Sequence, residues 1–103
     1  MLSVIRSWVS TKLSSSNEFF AVAIFGSVAR DEEAPNDCDI VFVAIDPVGS
    51  AGWHRSRQFA RGLEAKFCQE FGVQYSPLIL SRAGWFEVKE HLKPLVYIVE
   101  SRS

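Results

Sequence analysis

Two short segments of this sequence carry residue types suited to phosphate chemistry. One is Gly26-Ser27, and the other is the carboxylate pair Asp37 and Asp39 on either side of Cys38. Strand alternation would place Asp37 and Asp39 on one face and Cys38 on the other. Two carboxylates that close repel each other unless a cation lies between them, and magnesium favours such an oxygen site, completing it with waters and substrate phosphates. Gly26 has no Cβ, so its backbone can approach a ligand closely. Ser27 can donate its hydroxyl to a phosphate oxygen, and a helical turn starting there would turn unpaired N–H groups toward the anion.

These residues need elements to hold them. Leu2, Ile5, Val9 and Leu13 recur near a 3.6-residue period and predict a first helix, which Ser14-Ser15-Ser16-Asn17 breaks. The continuous apolar run Phe19 to Phe25 predicts a buried strand ending at Gly26. Ser27 to Glu33 predicts one short helical turn, followed by a loop at Ala34-Pro35-Asn36. A second buried strand, Ile40 to Ile45, is entered directly from Asp37-Cys38-Asp39. One long helix is expected from Trp53 to Phe71, because Phe59, Leu63, Phe67 and Phe71 share a face. Gly62 weakens it by roughly 1 kcal/mol relative to alanine. Gly72 would cap that helix, and Val73 to Leu80 would form a third strand, with Pro77 indicating an edge or a bulge. Ser81 would cap a last helix over Gly84 to Glu90, and the tail Leu95 to Val99 reads equally as strand or short helix. The order α-β-(α)-β-α-β-α describes one small α/β (α+β) domain over residues 1–103.

The stretch Phe25 to Ile40 then resembles the signature of the nucleotidyltransferase superfamily that includes DNA polymerase beta. That signature is a hydrophobic residue, Gly-Ser or Gly-Gly, nine to thirteen residues, and Asp-hydrophobic-Asp/Glu-hydrophobic. Nine residues, Val28 to Asn36, separate Ser27 from Asp37 here. Gly26-Ser27-Val28-Ala29-Arg30 resembles the Gly-Ser-x-Ala-Arg of the small single-domain members. The motif spans about 16 residues, and the element order extends the resemblance over most of the chain. It implies a nucleotidyltransferase-like mixed sheet of three to four strands flanked by helices. It also implies a magnesium-dependent attack on the α-phosphate of a nucleoside triphosphate. Asp37 and Asp39 would be the catalytic, Mg2+-binding pair; Gly26 and Ser27 would hold the β- and γ-phosphates, with Arg30 beside them.

Three residues depart from the family pattern. Asp31 stands where a glycine is usual, and Asn36 where a serine usually precedes the first aspartate. The third strand lacks the family's third carboxylate, and Gln74 or Ser76 occupies that place. The competing expectation is therefore a catalytically impaired interaction module, such as an antitoxin-like partner in a toxin–antitoxin pair. The resemblance allows a helical partner protein, and so short a chain leaves the acceptor to another subunit, in a homo-oligomer, or to a partner.

Eleven basic and twelve acidic side chains leave a net charge of -1, so nothing indicates general attraction to nucleic acid or to an anionic membrane. Arg55, Arg57, Arg61 and Lys66 read first as a solvated helix face and second as a groove for phosphate or nucleic acid. Arg30 could equally form a surface salt bridge with Asp31 or Glu33. His54 and His91 are isolated, and Trp8, Trp53 and Trp85 read as packing anchors. Cys38 and Cys68 lack metal-ligand spacing and suit free thiols in a reducing cytoplasm. No apolar run approaches the ~20 residues of a membrane span. A soluble, cytoplasmic protein is expected.

Overall fold

The computed structural model describes residues 1–14, 18–33 and 35–100. Ser15, Ser16 and Asn17 of the expected first break, and Ala34 of the expected loop, lie outside the described residues. The two apolar runs form β1 (Phe19–Phe25) and β2 (Asp37–Ala44), paired antiparallel at the centre of the sheet. Their side chains are buried on both faces, which explains continuous rather than alternating hydrophobicity. Strand β3 (Gln74–Leu80) joins β2 in parallel, and β4 (Val96–Val99) joins β1 antiparallel, giving the order β3-β2-β1-β4. The tail is thus a strand. Pro77 sits on an edge strand, where its missing N–H leaves no central ladder bond unmade.

One face of the sheet packs against α1 (Leu2–Leu13), α3 (Ala51–Gly62) and α4 (Glu64–Phe71). Ile5, Val9 and Leu13 turn inward from α1 at four-residue spacing, and meet Ile40, Phe42 and Phe67 in one cluster. The opposite face buries Ala21, Ala23, Val41 and Val43 under Trp85 of α5 (Arg82–Val88). Ser81 caps α5 as expected, its hydroxyl accepting from the Gly84 N–H at 3.2 Å. A 3₁₀ turn, Lys89–Leu92, follows in place of the last helical residues expected.

The long helix expected from Trp53 to Phe71 is instead two helices. The first begins at Ala51, where Ser50 caps it by accepting from the Trp53 N–H at 3.1 Å. The break falls at Leu63, directly after Gly62. A tertiary contact accompanies it: the buried Tyr75 hydroxyl donates to the Ala60 carbonyl, a group that would otherwise serve the next helical turn. Tyr75→Phe should leave that carbonyl buried and unpaired, lowering stability by about 1–3 kcal/mol in urea unfolding. The sheet-facing stripe of α3 was also not anticipated. It is Gly52, Ser56 and Ala60, all buried, and a Cβ at position 52 would collide with the Asp46 carboxylate. Leu63 and Phe67 are buried as expected, whereas Phe59 and Phe71 are half-buried at the margin. Gly72 ends α4 in the left-handed region, at φ 65.

Candidate functional site

The chain leaves β1 at Phe25, which lies opposite Asp39 on the antiparallel ladder. Gly26 follows at φ 74 and opens α2 (Gly26–Ala29), the short turn expected from the sequence. Its backbone lies against the Asp39 side chain. A Cβ at position 26 would collide with the Asp39 carboxylate oxygen and stand 3.3 Å from its Cγ. Ser27 is tied to the other aspartate, its hydroxyl donating to the Asp37 backbone carbonyl at 3.4 Å. Gly-Ser and Asp-x-Asp, ten residues apart in the chain, therefore meet at one end of the sheet.

Gly26→Ala is expected to destabilise the fold by about 1–2 kcal/mol for the left-handed backbone alone. Displacement of the Asp39 carboxylate adds to that, and thermal unfolding measures the sum.

Asp37 and Asp39 stand two residues apart on β2 and share a face, both half-buried, while Cys38 points into the opposite core at 0% exposure. Burial raises the Asp39 pKa above its ordinary value, and the Asp37 carboxylate raises it further; the Arg30 guanidinium opposes both. Two partly desolvated carboxylates in mutual repulsion offer hard oxygen donors to a cation. Among the described residues no group of three or more His, Cys, Asp or Glu is placed to hold a metal ion.

The register of β3 settles which residues flank that pair. Gln74 lies beside Asp37 and Ser76 beside Asp39, sharing their face in the parallel ladder. Neither is anionic. Tyr75, between them, faces the α3 side.

Arg30 lies close enough to bias Asp39, but its guanidinium pairs with Glu32 at 2.8 Å, both side chains about half exposed. The sequence alone leaves Asp31 or Glu33 as the expected partner. The turn decides otherwise, because Asp31 adopts φ 56 and swings the chain so that residues 30 and 32 face each other. Glycine is usual at this position in the family that Phe25 to Ile40 resembles. Aspartate is among the residues that best tolerate the left-handed region.

Burial, then Asp39 and Asp37, push the Cys38 thiol up to about 12. Cys38 should resist a thiol reagent at mildly alkaline pH in the folded protein and react once denaturant exposes it; labelling followed by mass spectrometry checks this. Among the described residues both cysteines are free. His54 and His91 are exposed, and Trp8 and Trp85 pack as anchors, Trp8 edge-on to Phe67 at 5.7 Å and Trp85 fully buried. Arg55 pairs with Glu18 at 3.0 Å, while Arg57 and Arg61 remain on the exposed face of α3 beside His54. No helix of the described residues is long and apolar enough to cross a membrane.

No protein-family model matches the chain, and no curated protein matches it either. Solved structures do. An inferred nucleotidyltransferase from Sulfolobus solfataricus superposes over 94% of this chain and 78% of its own, with TM-score 0.57 and 23% identity. A second inferred nucleotidyltransferase covers 94% of this chain and 98% of its own at TM-score 0.48 and 15% identity. The assignment rests on the first of these together with the sheet order. A mixed four-stranded sheet flanked by helices, superposable over nearly the whole chain, gives this protein the nucleotidyltransferase fold.

Proposed function

We propose that this chain binds a magnesium–nucleoside triphosphate complex at the Gly26–Asp39 end of the sheet and transfers a nucleoside monophosphate to an acceptor. The observation that carries this reading is the packing of the Gly26 backbone against the Asp39 carboxylate, where no Cβ fits. It unites a phosphate-compatible turn with a half-buried carboxylate pair, and the paired oxygens suit magnesium. When bound, magnesium would neutralise phosphate charge and favour departure of pyrophosphate. Asp37 and Asp39 would hold the cation. Gly26 would let the phosphates approach the backbone, and Ser27 would turn its hydroxyl from its long contact with the Asp37 carbonyl toward a phosphate oxygen. Arg30 would exchange Glu32 for phosphate. In such transfers the protein acts mainly by positioning and by stabilising charge.

Ser76 favours a second reading. With a hydroxyl where a carboxylate would help activate the acceptor, the chain would bind nucleotide without efficient transfer and serve as an interaction module, for instance an antitoxin-like member of a pair with a helical partner. Calorimetric titration with magnesium and several nucleoside triphosphates separates these from a site that binds nothing. Absence of magnesium-dependent binding would defeat the nucleotide reading. Labelled nucleotide, magnesium and the product of the neighbouring gene, followed by mass spectrometry, then distinguish an enzyme from a module: transfer favours the first, binding alone the second.

A further inference from the structure

At the end of the sheet away from Gly26 and Asp39, the surface carries an apolar patch. Phe86 is 55% exposed, Ile45 40% and Val48 65%. The parts of this patch are linked through Arg82. The Phe86 ring packs edge-on against Phe20 at 5.9 Å, and the Arg82 guanidinium lies 5.7 Å over the same Phe20 ring. Arg82 also lines a surface groove of about 350 Å³ with Ile45, Pro47, Val48 and Ala83. Lone exposed apolar residues need no explanation, but a connected group of them marks an interaction surface.

The charges around the patch indicate what covers it. Arg82, Phe86 and Glu90 follow one another at four-residue steps along α5 and the 3₁₀ turn, with the cation before the ring and the carboxylate after it. A two-fold axis through Phe86 would run α5 antiparallel to its copy. Arg82 of each copy would then oppose Glu90 of the other, and ring would meet ring. The remaining rim is balanced, Lys89 lying 5.2 Å over the Phe86 ring while Glu87 and Asp46 supply opposite charge. A stranger selected by charge would need a rim of one sign; a rim that pairs with its own inverse fits a second copy. We propose that this face pairs with a second copy of the chain, α5 against α5 about Phe86.

The centre of this face stands at the far end of the sheet from the Gly26–Asp39 site, since Phe20 lies near the start of β1 and Ile45 follows β2, whereas Gly26 follows β1 and Asp37 begins β2. Glu90 now bonds Lys93 at 2.7 Å, but both side chains are largely exposed, so that pair is weak enough to be exchanged.

Sedimentation equilibrium of the full chain tests the proposal. The wild type should sediment as a dimer. Phe86→Glu should be monomeric with unchanged far-ultraviolet circular dichroism, and its melting temperature should lose the dependence on protein concentration that the wild-type dimer shows. Arg82→Glu and Glu90→Arg should each weaken dimerisation by roughly tenfold, and the double swap should restore it to within a fewfold of wild type. A monomeric wild type at millimolar concentration overturns the proposal, as does a dimer indifferent to Phe86→Glu. A swap that fails to rescue overturns the two-fold pairing.

Discussion

Asp39→Asn should weaken magnesium-dependent nucleotide binding by roughly a hundredfold or more, which corresponds to losing about 3 kcal/mol of charge-assisted contact. The same substitution should make the ligand-free protein more stable. The Asp39 carboxyl has a raised pKa because burial and the Asp37 charge disfavour its ionised form. Between its ordinary value of 3.8 and the raised one, the folded state binds more protons than the unfolded state. Stability of the free protein therefore falls as pH rises through that window, and the deficit persists above it. Asparagine has nearly the same shape and no charge, so it removes both the deficit and its pH dependence. Two measurements check this: calorimetric titration with magnesium and nucleotide, and melting temperature across acidic pH. A variant that binds magnesium nucleotide as well as wild type would remove Asp39 from the site. One that binds poorly and is also less stable would mean that Asp39 has a structural role instead.

The second large effect is a gain. Ser76→Asp would set a carboxylate in register with Asp39 on the same face, one strand away. Positioned general bases contribute about 10²- to 10⁴-fold to proton transfer, so magnesium-dependent release of pyrophosphate should rise by about a hundredfold or more. Three carboxylates in place of two also repel one another more strongly without a cation. The variant should therefore melt lower than wild type in chelator and recover in magnesium. A melting temperature that responds to magnesium with no gain in pyrophosphate release would place the acceptor's activation elsewhere. No response to magnesium would mean that Ser76 does not face the cation site.

Much of the architecture is legible from local pattern. The inward stripe of α1, the two central strands, the Ser81 and Gly72 caps and the edge placement signalled by Pro77 all follow from rules reaching only a few residues along the chain. The misjudged long helix shows where such rules stop. Phe59, Leu63, Phe67 and Phe71 do lie on one face by spacing, yet the helix breaks after Gly62, where the Tyr75 hydroxyl, fifteen residues away in the chain, takes the Ala60 carbonyl. The buried stripe Gly52, Ser56 and Ala60 is invisible to such rules for a related reason. Small residues announce no hydrophobic face, and their importance lies in how near a neighbouring segment comes, as Asp46 does to Gly52.

The site divides along the same line. Residue types and spacing along the chain are enough to nominate Gly26, Ser27, Asp37 and Asp39, because strand alternation alone puts the two carboxylates on one face. Closeness of Gly26 to Asp39, the pairing of Arg30 with Glu32 and the positions of Gln74 and Ser76 depend on turns and on strand register. Those are properties of segments distant in sequence. Backbone dihedrals and ladder pairing turn separate local tendencies into a single geometry, and a one-residue slip of β3 would carry Ser76 to the opposite face of the sheet.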